Sequence, residues 1–131
     1  MAPADAAGID GTLAAVRATL HRLTPRQAYA ALDEGAVLVD TRPEFQRRAS
    51  GTVPGALLVE RNHLEWRCDP ASGASVAEAT GTQVHWIVMC DEGYASSLAA
   101  ASLRSLGLTR ATDLIGGFQA WRAAGLPVTL P

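Results

Sequence analysis

Four short strand-like segments, rich in apolar residues, set the strongest limit on how this chain folds. They are Ala36-Val37-Leu38-Val39-Asp40, Ala56-Leu57-Leu58-Val59, Val84 to Met89 and Ala111 to Ile115. Short continuous apolar runs are what strands covered on both faces look like. The segments around them have helical character. Leu13, Val16 and Leu20 recur at helical spacing within Gly11 to Leu20. Thr24 and Pro25 are an N-cap and a first helical residue for a helix through Leu32 that stops at Gly35. Further helices are expected at Pro43 to Arg48, Arg61 to Arg67, Ser96 to Leu106 and Phe118 to Ala124, the last two closed by Gly107 and Gly125. Asp69 to Gly81 reads as a surface excursion, and Leu126-Pro127-Val128 as an exit segment. Strands alternating with helices predict an α/β fold of three layers, a central mostly parallel sheet flanked by helices. There is no internal repeat or linker. Residues 1–20 read as an N-terminal extension with a short helix, and 21–131 as one domain.

The third run ends at Cys90, and Asp91-Glu92-Gly93 follows at once. These three residues cannot continue a buried strand, so the chain surfaces directly after the cysteine. A strand, a tight loop and a helix place the thiol at a strand's carboxyl end, among loop N–H groups and near a helix N-terminus. That setting favours a thiolate nucleophile over a buried core cysteine. The totals narrow the chemistry. A net charge of −2 over 131 residues provides no basic field for nucleic acid. No apolar run approaches membrane-spanning length, and the first residues lack a signal-peptide pattern. Cys68 and Cys90 do not resemble a disulfide framework, and His21, His63 and His85 show no ligand spacing, so neither a metal nor another cofactor is expected. A cytoplasmic, reducing location is the default expectation.

Four segments, in order, give the chain a resemblance to the rhodanese-like, single-domain sulfurtransferases, from about Leu23 to about Val128. Val39-Asp40-Thr41-Arg42-Pro43-Glu44-Phe45 is similar to the family's D-x-R segment. Gly51-Thr52-Val53-Pro54-Gly55-Ala56 is similar to its G-H-I-P-G-A turn, with Thr52 in place of histidine. Val88-Met89-Cys90-Asp91-Glu92-Gly93-Tyr94-Ala95-Ser96 resembles its C-x-x-G active-site loop. Leu114-Ile115-Gly116-Gly117-Phe118-Gln119-Ala120-Trp121 resembles its L-x-G-G-x-x-A-W signature. The resemblance implies a rhodanese-like three-layer fold and transfer of sulfane sulfur through a persulfide on Cys90. The partners it implies are a small sulfur donor and a thiol or cyanide acceptor, or a protein persulfide, with no nucleic acid and no membrane. It leaves the oligomeric state open.

In that reading Asp91, Glu92, Gly93, Tyr94, Ala95 and Ser96 cradle the sulfur and its substrate, and Gly93 lets the backbone curl. Ser96 and Ser97 cap the following helix. Asp40 and Arg42 form a structural ion pair beside the site, and Phe118 and Trp121 belong to the core. The loop departs from many relatives, which carry Arg or Lys where Asp91, Glu92 and Ala95 stand. Two carboxylates there oppose an anionic donor unless they face solvent. Arg47 and Arg61, with Arg48 and Arg67, are the candidates for restoring positive charge or pairing with Asp91 and Glu92. The alternative is a solvated helix at 61–67 with Leu64 and Trp66 packed inward. Cys68 is expected to be structural. A phosphatase with a C-x5-R loop is excluded, because Ser96 occupies the arginine position. A noncatalytic binding or regulatory domain of the same fold remains the alternative to catalysis.

Overall fold

The structure is a computed structural model that describes residues 8–131. Its helices are α1 (Gly8–Arg17), α2 (Pro25–Leu32), α3 (Glu44–Ser50), α4 (Leu64–Cys68), α5 (Ala95–Ser105) and α6 (Gly117–Ala123). Its strands are β1 (Val37–Asp40), β2 (Leu57–Leu58), β3 (Trp86–Met89) and β4 (Thr112–Asp113), and a single 3₁₀ turn, Arg61–His63, leads into α4. The four strands form one sheet in the order β2-β1-β3-β4, every pair parallel.

Side chains of successive strand residues leave on opposite faces, and here the alternation builds two cores. Val39, Trp86 and Val88 join Leu64 and Cys68 of α4 and Ala99, Ala100 and Leu103 of α5. Leu38, Ile87 and Met89 join Ala28 of α2 and Phe118 and Trp121 of α6. With both faces covered, β3 is buried at all four positions, which is why its sequence shows no polar alternation. Helix α1 packs against α5 and buries Leu13. At the other end of the chain, Thr129 exchanges backbone hydrogen bonds with Thr52, and Pro127 accepts the Trp121 indole N–H at 2.8 Å.

Helix α2 starts where its capping chemistry places it. Thr24 accepts from the Gln27 N–H, and the Gln27 side chain accepts in return from the Thr24 N–H, a complete capping box at α2. Other boundaries move. The first helix runs from Gly8 to Arg17, so Leu20 lies beyond it. Strands β2 and β4 are two residues long, and beyond β4 Leu23 adds a parallel bridge to Leu114. Trp66 does not pack inward: it is 60% exposed. In a single-turn helix Leu64 and Cys68 are four residues apart and share the buried face, which places Trp66 on the opposite side.

Candidate active site

The carboxyl edge of the sheet collects three chemistry-bearing residues on adjacent strands. Asp40 ends β1, Asp113 ends β4, and Cys90 is the first residue after β3. Register fixes their spacing, with Asp40 beside Met89 and Asp113 beside Val88. The chain then turns back through Asp91 to Tyr94 into α5. Within this turn the N–H groups of Gly93 and Ser96 both donate to Cys90 Sγ, at 3.2 and 3.3 Å. Two backbone donors and the start of an eleven-residue helix stabilise negative charge on that sulfur.

The turn is tight because glycine permits it. Gly93 has φ +86°, and a Cβ there would sit 2.6 Å from the Gly116 nitrogen. Gly117 has φ +63°, and its Cβ would sit 2.5 Å from the Cys90 carbonyl oxygen. This second approach lets the Phe118 and Gln119 N–H groups donate to the Cys90 and Asp91 carbonyls at 2.9 and 3.1 Å, tying the loop to α6. Gly117→Ala is expected to lower stability by about 2 kcal/mol or more, from left-handed strain and collision with backbone. A thermal melt checks it, and a midpoint matching the parent would contradict the close approach.

Cys90 is 9% exposed and sits on a cleft of about 370 Å³. Thr41, Arg42, Gln46, Arg61, Asp91, Glu92, Tyr94 and Ala95 are among its walls. Of the residues singled out from the sequence, Gly93 and Ser96 reach the sulfur, and Asp91, Glu92, Tyr94, Ala95, Arg42 and Arg61 line the cleft. Arg47 is not among the wall residues; it donates to the Arg42 carbonyl oxygen. Arg48 pairs with Glu44 on the exposed face of α3, and Arg67 donates to the Ala74 carbonyl. Arg61 is held by both carboxylate oxygens of Glu65, at 3.0 and 2.9 Å, so it does not pair with Asp91 or Glu92.

Asp91 accepts from Gln119 Nε2 at 2.9 Å, and its carboxylate lies 4.0 Å from Arg42 Nη1. Glu92 is exposed. Arg42 is buried to 1% exposure and grips Asp40 through two nitrogens, at 3.0 and 2.8 Å. It also donates to the Gly51 carbonyl and lies 3.9 Å above the Phe118 ring. Asp40–Arg42 is thus an internal ion pair, with the side of the guanidinium carrying Nη1 left without a hydrogen-bond partner.

Ser96 and Ser97 depart from expectation. The N-cap of α5 is Tyr94, which makes no side-chain cap. Both serine hydroxyls instead donate to one oxygen of Asp113, each at 2.8 Å. A buried carboxylate needs partners, and Asp113, with no exposed surface, draws these hydroxyls and Arg22, whose Nε lies 2.8 Å away. Arg22 and Arg17 also reach the Gly93 carbonyl, at 3.0 and 2.7 Å. Asp113, Arg22, Arg17 and Gln119 were not singled out from the sequence. A carboxylate inside the expected strand Ala111 to Ile115 was the available signal. The arginines act 71 and 76 residues away along the chain and gave none.

Cys68 lies in the core at zero exposure, and burial, with the charge of Glu65 adding to it, pushes its thiol up to about 12. It is chemically silent at neutral pH.

Comparison with known proteins identifies the family. The sequence profile of the rhodanese-like domain matches residues 24–124. A thiosulfate sulfurtransferase, GlpE, of Pseudomonas entomophila is 35% identical over 102 residues, covering 78% of this chain and 84% of that one. A Rhodopseudomonas palustris protein of unknown function, described as a possible tyrosine phosphatase, superposes with a TM-score of 0.83 at 30% identity, covering 98% of this chain and 99% of the other. The polysulfide-sulfur transferase of Wolinella succinogenes has the same fold, with a TM-score of 0.67 at 21% identity over 92% of this chain and 85% of that one. By the profile match and by these similarities, the chain belongs to the rhodanese-like domain family.

Proposed function

We propose that Cys90 is the nucleophile of a sulfurtransferase and carries sulfur as a persulfide between a donor and a thiophilic acceptor. The observation that carries this reading is the pair of N–H groups on Cys90 Sγ at the mouth of an open cleft. The thiolate attacks the outer, sulfane sulfur of the donor. A sulfur–sulfur bond forms to Cys90 as the donor's own sulfur–sulfur bond breaks, and the leaving group departs with the electron pair; from thiosulfate it is sulfite. An acceptor thiolate or cyanide then attacks the outer sulfur of the persulfide, and Cys90 leaves again as thiolate. Both steps exchange one anion at sulfur for another. The site therefore needs fixed donors around the sulfur and no general base. Asp91, Glu92, Tyr94, Ala95, Arg42 and Arg61 form the substrate walls of this reading. The reducing cytoplasm, where acceptor thiols persist, is the compartment it suits.

Phosphate transfer does not suit the loop. Ser96 stands where a phosphatase of this fold places its arginine, and its hydroxyl is held on Asp113. Mass spectrometry of the intact protein after exposure to thiosulfate and to small persulfides tests the proposal. Gain of one sulfur atom, lost again on adding cyanide, supports it. No gain from any donor favours a noncatalytic docking domain.

Donor charge is a separate expectation. Both loop carboxylates line the cleft, and Glu92 is exposed within it. Replacing Asp91 by Asn and Glu92 by Gln together is expected to raise kcat/KM for thiosulfate about ten-fold at low ionic strength, roughly 1.4 kcal/mol of transition-state stabilisation. The gain should shrink in high salt. Steady-state thiosulfate:cyanide kinetics at two ionic strengths measure it, and equal values at low salt would show that the carboxylates do not govern donor choice.

A further inference from the structure

We infer that Arg17 and Arg22, which precede the segment matched by the family profile, form a clamp that positions the sulfur-binding loop and gives it the positive potential its own residues lack. The inference rests on Cys90 being the sulfur-carrying nucleophile. Both guanidinium groups converge on one atom, the Gly93 carbonyl oxygen, through Nη2 at 2.7 Å from Arg17 and 3.0 Å from Arg22. Gly93 is the loop residue with the greatest backbone freedom, and its own N–H is one of the two donors to Cys90 Sγ. Fixing its carbonyl fixes the peptide that leads to Tyr94 and Ala95, and with it the approach of the Ser96 N–H to the sulfur.

The second contacts of the two arginines divide the work. Arg22 is neutralised by Asp113, with Nε and Nη2 at 2.8 and 3.2 Å from its oxygens, so its contribution is geometric. Arg17 donates through Nε to the Ser97 hydroxyl at 3.1 Å and lies 5.5 Å from the centre of the Tyr94 ring, which forms one wall of the cleft. It meets no carboxylate among the described residues, so its charge is the uncompensated one. Residues 91–95, Asp-Glu-Gly-Tyr-Ala, include two acids and no base. Arg17 thus supplies from beneath the loop a cation that favours anionic sulfur donors over neutral ones, against Asp91 and Glu92. Both arginines are positioning residues, since neither lines the cleft.

Competing alkylation of the full-length protein separates this role from simple bracing. Iodoacetate and iodoacetamide attack the same thiolate and differ in charge, and Cys68 is silent to both. In Arg17→Met the ratio of the iodoacetate rate to the iodoacetamide rate is expected to fall about three-fold at low ionic strength. The difference should vanish in high salt, and Arg17→Lys should restore the parent ratio. A loop merely loosened would slow both reagents equally. An unchanged ratio in Arg17→Met, whatever happens to the common rate, overturns the electrostatic role. If the Met variant does not fold, Arg17→Gln, which keeps a donor for the carbonyl without the charge, serves the same comparison and is expected to show the same fall. Alkylation needs no sulfur donor. A parent protein that takes up no sulfur therefore refutes the persulfide reading, while an unchanged ratio refutes the charge that Arg17 is inferred to supply.

Discussion

Cys90→Ser is expected to reduce sulfur uptake and sulfur transfer to background, while Cys68→Ser leaves both close to the parent. The contrast follows from where the structure puts two chemically identical side chains. Cys90 lies at a strand's carboxyl end, on a cleft, with two N–H groups directed at its sulfur. Cys68 lies among Leu64, Trp86 and Leu103 in the core, its thiol pushed up to about 12. Serine's hydroxyl is a far weaker nucleophile and holds no transferable sulfur, so no residual route exists through residue 90. The measurement is intact mass after donor treatment, together with thiosulfate:cyanide turnover. Transfer by Cys90→Ser at the parent rate would place the nucleophile elsewhere. Melting curves of the two variants complete the comparison. Cys90→Ser should melt near the parent temperature, since the hydroxyl can still accept from the Gly93 and Ser96 N–H groups. Cys68→Ser buries a hydroxyl in an apolar pocket and should melt lower.

Asp113→Ala carries the largest expected loss of stability. Its carboxylate has no exposed surface and joins four groups: Nε and Nη2 of Arg22 and the hydroxyls of Ser96 and Ser97. Removing it strands a largely buried guanidinium and two buried hydroxyls. Breaking a buried pair from one side costs about 3–5 kcal/mol, equivalent to a fall in melting temperature of about 10 °C or more for a domain of this size. Asp113→Asn keeps an oxygen for the serines and loses the charge, so it should fall between parent and Ala. The turn after Cys90 should suffer as well, because the serine hydroxyls and Arg22 help to hold it. Sulfur uptake by folded Asp113→Asn is therefore expected to be slower than the parent's. A melting temperature for Asp113→Ala within about 2 °C of the parent would mean that the ion pair and its hydroxyls contribute nothing to the fold.

Much of this protein was legible along the chain. Both-face burial favours apolar residues along a whole strand, so β1 and β3 announce themselves, and the acidic turn after Cys90 shows that the chain surfaces directly after the thiol. Thr24 and Pro25 mark the start of α2 by local rules that sequence reading captures, and the structure adds Gln27, three residues on, to complete the capping box. The pairing of Asp40 with Arg42 was accessible for the same reason. Long-range polar contacts decided the rest. Ser96 and Ser97 begin a helix and are good caps by local rules, but a buried carboxylate on β4 offers their hydroxyls a stronger partner than the helix end does. Arg47 and Arg61 carry the charge the loop lacks, yet the Arg42 carbonyl and Glu65 claim them first. The guanidinium groups that hold the Gly93 carbonyl are those of Arg17 and Arg22, set against the loop by the docking of α1 on α5 and by the chain running beside β4. No local pattern encodes such a meeting: a guanidinium's partner is fixed by which buried acceptors remain open once the layers have packed, and that is a property of the tertiary structure alone.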